Sequence, residues 1–356
     1  MQPSNGRRAT IADIARKVGV SPSTVSIVAR GEDKKRHISV ATTQRVRDVM
    51  AEMNYVHNST ARNFRLQRSG MIGVLLANLR MDWAEAVLGG MLEVFQPNGY
   101  APFIGIHGFE TQLARRELLS CAQRRDEGVI CQPVPGENEN YDRIRQSATP
   151  LVFLGDHPPD LPDVSFVAWD SAAAARTAVR HLIETGRRRI AFLGCDYPMI
   201  MSRARHEAYE SVLRAAGLCP KPHWVAVAPL EWSLDRIVNW ATDRLFPSNR
   251  EHPDAVFALN DGLALPLLEV LTGRGIRVPE DVAIIGMGDL SMTGHQGISL
   301  STVGEPCVEL GKQAAEVMLE LISNPGKAPI HRLIPGENLK VRRTTGRPTG
   351  VPGNNQ

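Results

Sequence analysis

Apolar positions near the start of the chain recur with the period of a helix. In "TIADIARKVG", Ile11, Ile14, Ala15 and Val18 stand at i, i+3, i+4 and i+7, one face of a helix that Thr10 can cap, and Gly19 supplies the turn that ends it. Ser21 is then a second N-cap, with Pro22 at the first helical position, where a missing N–H costs nothing. At about 100° per residue, Val28 and Ala29 flank Val25 in a narrow apolar stripe, while Ser23, Ser26, Ile27 and Arg30 fall roughly 100–200° away. Ile27 is therefore expected to be exposed. A third helix, capped by Ser39, carries Val46, Val49, Met50 and Met53 on one face and ends near "NYVHN". The pattern predicts a three-helix bundle with a tight first turn, the helix-turn-helix arrangement.

From residue 70 the period changes. Apolar runs "MIGVLLANL", "APFIGI", "GVICQPV", "PLVFLGD", "RIAFLGC", "AVFALN" and "VAIIGMG" read as strands, separated by helical stretches such as "ARRELLSCAQRR", "AAAARTAVRHLIETG" and "LALPLLEVLTGRG". Such alternation predicts doubly wound parallel sheets. It runs too long for one ordinary sheet, so two similar subdomains are expected, with ligands binding in the cleft at strand C-terminal ends.

Charge changes the picture of the first module. Residues 1–70 hold 13 Lys or Arg against 5 Asp or Glu, whereas the remainder holds 28 against 33. A basic module on a mildly acidic body is the footprint of a nucleic-acid-binding head. The outward face of the second helix would enter the major groove, where Ser23, Thr24 and Ser26 permit close approach. Arg30 would reach a phosphate or guanine edge, and Ile27 would pack on a thymine methyl. The chain of 356 residues has no apolar run long enough for a membrane helix, and "MQPSNGRRA" lacks a secretion signal's apolar core, so a cytoplasmic protein is expected. The five cysteines (Cys121, Cys131, Cys195, Cys219, Cys307) lack metal-ligand spacing and are expected to be reduced, mostly buried thiols. No cofactor or metal is expected.

"TIADIARKVGVSPSTVSIVARG" followed by "ISVATTQRVRDVMAEMNYVHNSTARNF" resembles the DNA-binding head and hinge of the lactose repressor/galactose repressor family of bacterial transcription regulators. The motifs that carry the likeness are V-S-P-S-T-V-S, S-x-x-T, the N-Y that includes Tyr55, and N-x-x-A-R, which includes Asn58, Ala61 and Arg62. Many members carry arginine where this chain has Ile27, and the loop "GEDKKRH" is longer than the common form, so Lys34, Lys35 and Arg36 are expected to add phosphate contacts. The segment "NSTARNFRL" is too short for a stable isolated helix. The resemblance implies that it orders in the minor groove beside its mate in a dimer, with Phe64 as the apolar wedge, and Arg62 flanking it suits a narrow groove.

The resemblance continues through "VAWDSAAAARTAVRHLIETGRRRIAFLG", "FALNDGLALPLLEVLTGRGIRVPEDVAIIGMGD", "STVGEPCVELGKQAAEVMLELI" and "LKVRRTT". It implies a body like the periplasmic sugar-binding proteins. By matched position, Arg205 clamps the ligand, Asn260 hydrogen-bonds it, Trp83 and Trp232 stack on its apolar face, and Asp170 and Asp289 are further candidates, while Arg203 points elsewhere. Many sugar-binding members have two aspartates where this chain reads "GMGD" with Gly288 first, which leaves a sugar acid, a phosphosugar or a non-sugar metabolite open.

The expected organisation is a tail over 1–9, a helix-turn-helix domain over 10–57, a hinge over 58–70, an effector and dimerisation body over 71–345, and a tail over 346–356. Within the body, one subdomain is expected over 71–167 plus 301–328, the other over 168–300 plus 329–345. An enzyme reading would rest on "GMGDLS" as a dinucleotide loop with Glu305 about twenty residues on, but the third glycine and the crossover helix are missing. A transport-type binding protein would share the body and have no use for residues 10–66. The expected function is a homodimeric, effector-responsive regulator, most simply a repressor, whose partners are a near-palindromic operator, a small sugar or sugar derivative and a second copy of itself.

Overall fold

A computed structural model describes residues 9–29, 31, 33, 36–55, 69–79, 82–161, 163–196 and 200–346, and the chain divides into two compact units, residues 1–68 and 69–356. In the first, helices α1 (Ile11–Val18), α2 (Pro22–Ala29) and α3 (Val40–Glu52) follow the expected caps. Thr10 and Asp13 close a capping box, the Thr10 N–H donating to Asp13 Oδ2 at 3.0 Å, and Gly19 ends α1 at φ +76°. Ile14, Val18, Val25, Val28 and Val46 are buried together, with Val49, Met50, Met53 and Tyr55 packed at the margin. So small a core needs help, and α3 supplies it: Arg45 Nη2 donates to the Val18 carbonyl at 2.5 Å and Lys17 pairs with Glu52 at 2.5 Å.

The second unit holds β1 (Met71–Leu76), β2 (Ala101–Ile106), β3 (Gly128–Cys131), β4 (Leu151–Leu154), β5 (Ser165–Trp169), β6 (Ile190–Cys195), β7 (Val225–Ala228), β8 (Ala255–Ala258), β9 (Ala283–Gly288), β10 (Ser301–Gly304), β11 (His331–Ile334) and β12 (Asn338–Lys340). Helices α4 (Asp82–Phe95), α5 (Thr111–Arg124), α6 (Asn138–Gln146), α7 (Ser171–Glu184), α8 (Ile200–Ala215), α9 (Leu234–Leu245), α10 (Asp261–Gly273) and α11 (Cys307–Ser323) alternate with them. The strands form two sheets, ordered β11-β5-β4-β3-β1-β2 and β12-β10-β9-β8-β6-β7. Neighbours are parallel except β12, which is antiparallel to β10. Central strands are buried along their whole length, as a sheet covered on both faces requires. Pro102 lies in β2, an edge strand, where its missing N–H breaks no ladder.

The lobe boundaries differ from those expected. Ser301–Gly304, expected with the first subdomain, pairs with β9 in the second sheet; His331–Ile334, expected with the second, pairs with β5 in the first. The chain therefore crosses between lobes three times: after β5, after β10 and between β11 and β12. Trp169 Nε1 donates to the Gly336 carbonyl at 2.8 Å and so ties the first crossing to the third. Cys121, Cys131 and Cys195 are buried free thiols, but Cys307 is half-buried and Cys219 exposed, so the expected burial holds for three of the five. Among the described residues, no helix is long and apolar enough to cross a membrane.

Candidate DNA-reading face and effector cleft

In the head, Ser21 Oγ accepts from the Thr24 N–H at 3.1 Å and Ser39 Oγ from the Thr42 N–H at 3.2 Å, which fixes where α2 and α3 begin. Thr10 is likewise a cap. Ser21, Pro22 and Ser23 are exposed, as are Arg36 and Ser39, while Thr24, Ser26 and Tyr55 are half-buried. Ile27 corrects the expectation: although it lies opposite the buried Val25, it is half-buried. Helical side chains lean back over the preceding turn, here Ser23 and Thr24, so part of the isoleucine is covered by its own helix. Arg30, Lys34, Lys35, Asn58, Ala61, Arg62 and Phe64 lie outside the described residues. Asp33, which the sequence reading passed over, is buried and pairs with Arg47 at 3.3 Å, fastening the 31–37 loop to α3.

The body repeats one strand order, 2-1-3-4-5, in each lobe. A crevice should open where the winding reverses, beyond the C-terminal ends of β1 and β3 in one lobe and of β6 and β8 in the other. A cleft of about 640 Å³ lies there, lined by Asn78 and Gln132 from the first lobe and by Leu259, Asn260 and Asp289 from the second. The helices α4, α10 and α11 also begin at it. α4 and α11 cross at glycines: a Cβ on Gly90 would stand 2.0 Å from the Val308 carbonyl oxygen, and one on Gly311 would stand 2.0 Å from that of Val87. Only a backbone-to-backbone approach of this kind brings Trp83, at the start of α4, within reach of Glu305, where Nε1 donates to Oε1 at 2.7 Å.

Arg205 comes from α8 and is 4% exposed. Its Nη1 donates to the Leu259 carbonyl at 2.8 Å, its guanidinium lies 5.4 Å from the Trp169 ring centroid, and its buried Nε has no partner. Burial pulls its pKa down, against the opposing pull of Glu305, Asp261 and Asp156. Burial pushes the Glu305 carboxyl up, opposed by Arg205 and the Trp83 bond. Asp261, 1% exposed, is pushed up to about 6 by burial, although Thr302 Oγ1 donates to it at 2.7 Å and the Leu290 N–H at 3.1 Å. Hydrogen bonds from Ser291 hold Asp82 below the usual carboxylate range, the backbone N–H donating at 2.7 Å. Among the described residues, no cluster of His, Cys, Asp or Glu is arranged to hold a metal ion.

Of the matched positions, Trp83, Arg205, Asn260 and Asp289 line this cleft and two do not. Asp170 caps α7 in the first crossing, accepting from the Ala173 N–H at 2.9 Å. Trp232 packs perpendicular to Trp240 with ring centroids 5.6 Å apart, and the Arg236 guanidinium lies 3.9 Å over its ring, so one of its faces is occupied. Asn260 caps α10 through Oδ1, which accepts from the Leu263 N–H at 3.0 Å and leaves its amide N–H groups for a ligand. Asp289 is committed to Arg342 at 2.6 Å. Gly288 has φ +131°, and a Cβ there would meet Asp261 Oδ2 at 3.3 Å. The space an aspartate at 288 would enter is thus already filled by a carboxylate from α10. Arg203 is exposed and lines a second cavity of about 540 Å³. The sequence reading missed Asp261, adjacent to Asn260 in "LND", and met Glu305 only as a dinucleotide-loop candidate.

A family model described as bacterial regulatory proteins, lacI family, matches residues 10–58, and one described as a periplasmic binding protein-like domain matches residues 179–345. The HTH-type transcriptional repressor PurR of Haemophilus influenzae is 27% identical over 317 residues, 89% of this chain and 92% of the repressor. The ribose operon repressor of the same organism is 27% identical over 320 residues, 90% and 93%. A transcriptional regulator CelR–cellobiose complex superimposes with a TM-score of 0.68 at 26% identity, covering 95% of this chain and all 100% of that one. The lac repressor dimer bound to operator and the anti-inducer ONPF shares the fold, with a TM-score of 0.80 at 23% identity over 95% and 99% of the two chains. With a helix-turn-helix head, a two-sheet body and relatives matched along nearly their whole length, this chain carries a head of the lacI family of bacterial regulatory proteins on a periplasmic binding protein-like body and is similar to transcriptional repressors over about nine-tenths of its length.

Proposed function

We propose that the protein is a transcriptional repressor that binds a near-palindromic operator as a homodimer and answers to a small polar metabolite held between the lobes of its body. The observation that carries the reading is the pairing, in one chain, of an exposed Ser21–Ser23 face on α2 with a cleft at both switch points whose buried Arg205 has an unpartnered Nε. In this reading Trp83, Arg205 and Asn260 hold the effector; Ser21, Pro22, Ser23, Ser26 and Ile27 face DNA, and the 58–70 segment joins the two domains as a hinge. In this reading the cleft binds its ligand, with Asp261 accepting from Thr302 and Asp289 from Arg342. The names of two relatives, a ribose operon repressor and a cellobiose complex, favour a sugar or sugar derivative here, and the protein acts in the cytoplasm, where the operator is. Effector affinity that differs between the two lobe arrangements couples the sites. Selection of genomic fragments by the purified protein at physiological salt, followed by footprinting, tests this. A protected near-palindrome is expected, and diffuse salt-sensitive binding alone would refute sequence-specific regulation.

A further inference from the structure

The cleft contains a buried cation and a carboxylate that face the same space without pairing. Arg205 is bonded on one side to the Leu259 carbonyl, and its Nε is left without an acceptor. Glu305, at the crossing between β10 and α11, receives one side-chain hydrogen bond among the described residues, from Trp83, and no ion pair. Each lowers the other's cost of burial electrostatically, yet no hydrogen bond or ion pair joins them. Glu305 is half-buried at the cleft wall, and a carboxylate withdrawn from water calls for compensating donors or charge. One donor from an indole supplies only part of that compensation, and it carries no charge. The neighbouring carboxylates give Glu305 nothing: Asp261 is occupied by Thr302 and Leu290, and Asp289 by Arg342. What the pair lacks is an acceptor beside Arg205 and a positively charged donor beside Glu305.

Resting on the reading of this cleft as the effector site, we propose that the effector carries a protonated amine that binds Glu305 and an oxygen acceptor that binds Arg205. A hydroxyl in place of the amine would supply a donor but no charge, and would leave the carboxylate under-compensated. An anionic group at the same end would meet Glu305 directly, so a phosphosugar or sugar acid fits only with its charge turned to Arg205 and an amine elsewhere. Two sources share the required chemistry, amino sugars and α-amino acids.

The test is calorimetric titration of the full chain at pH 7 with D-glucosamine, D-galactosamine and D-mannosamine beside their parent hexoses, and with the common α-amino acids beside their 2-hydroxy acid analogues. The expected result is that at least one aminated compound binds ten or more times tighter than its hydroxyl counterpart, the hexosamine and amino-acid arms telling the two sources apart. In Glu305→Gln, the same size without the charge, that preference should vanish while the hydroxyl counterpart binds within threefold of wild type. The proposal is overturned if no aminated compound binds, if the hydroxyl counterpart binds equally well, or if the preference survives Glu305→Gln. Operator retardation assays with the same compounds separate this from the broader reading. A hydroxyl compound that alters operator binding leaves the regulator standing without the amine, whereas absence of operator binding removes the regulator whatever the cleft prefers.

Discussion

Asp261 should make the stability of the body depend on pH in a direction opposite to that of an ordinary salt-bridged carboxylate. Its pKa is raised from 3.8 to about 6, first by burial, with Thr302 and the Leu290 and Asp289 backbone N–H groups opposing. A folded-state pKa above the unfolded one means that the native protein holds the proton more tightly. The stabilisation is complete below about 3.8, the unfolded value, and is lost as pH rises through about 6. Two pKa units and a fraction, at about 1.4 kcal/mol each, give about 3 kcal/mol lost between about pH 3 and 7.

Asp261→Asn isolates the effect, because the amide has the same size and no proton to lose. All five tryptophans lie beyond residue 82, so fluorescence during urea unfolding reports the body and not the head. The difference in unfolding free energy, wild type minus Asp261→Asn, should fall by about 3 kcal/mol from about pH 3 to pH 7, with most of the change below pH 6. Thr302→Val removes a donor that favours the charged form and should carry the decline to higher pH. A difference flat to within roughly 0.5 kcal/mol, or one that grows with pH, would refute the argument that burial outweighs hydrogen bonding at this carboxylate.

Arg205→Ala removes a buried donor left open to an effector and should raise the concentration needed for a half-maximal effector response on the order of 10- to 100-fold, the worth of one charged hydrogen bond, with operator affinity in the absence of effector unchanged; an unshifted midpoint would contradict the clamp. Ile27→Ala should cost about 1 kcal/mol on the selected operator and nothing on random DNA, read by competitive retardation; equal losses on both would mean that Ile27 supports the fold and not the base contact. Gly311→Ala puts a methyl 2.0 Å from the Val87 carbonyl oxygen. It should destabilise the body by about 1–3 kcal/mol and weaken the effector response by moving Glu305 away from Trp83; an unchanged melting temperature would show that α4 and α11 can part freely.

Elements that announce themselves by one strong local signal were legible in the sequence. The Thr10, Ser21 and Ser39 caps, the α2 stripe around Val25 and the seven long apolar runs all became the expected elements. The strands that escaped are short or mixed. β5, "SFVAW", carries Ser165; β7, "VAVA", has four residues; β11, "HRLI", alternates at an edge and buries only Ile334 fully. Their missing signal is also why the lobe boundaries were misplaced, since β10 stays beside its sequence neighbour β9 whereas β11 leaves both of its sequence neighbours for the other sheet. Four of the six positions matched to a family line the cleft and two do not, and a matched position says nothing of whether its side chain is already engaged. Trp232 and Asp289 are both engaged by arginines, Arg236 four residues on and Arg342 at a separation of 53 that no local pattern spans. Glu305 was hidden for the reverse reason: its partner Trp83 lies 222 residues away and meets it only because Gly90 and Gly311 let two helices touch.

The bonds that join the lobes are weak enough for a ligand to redirect. Asp82, at the start of α4, accepts from the Ser291 N–H at 2.7 Å, and Asp156, after β4, accepts from the Met201 N–H at 3.1 Å in the first turn of α8. Each is a side chain of one lobe satisfying the backbone of the other, and each is worth about 0.5–3 kcal/mol net. An allosteric coupling of about 1–3 kcal/mol is of the same size. A ligand that satisfies Arg205 from the second lobe and Glu305 at the crossing therefore need not break a large interface to favour one arrangement. It has only to outweigh or reinforce two hydrogen bonds. The unpaired charges sharpen this balance: without a ligand they penalise any closure that desolvates them further, and with a matched ligand the same charges reward it. On the effector reading proposed above, the features that look costly on their own would be the ones that give the effector unequal affinity for the two arrangements, and unequal affinity is the sole means by which a ligand can shift them.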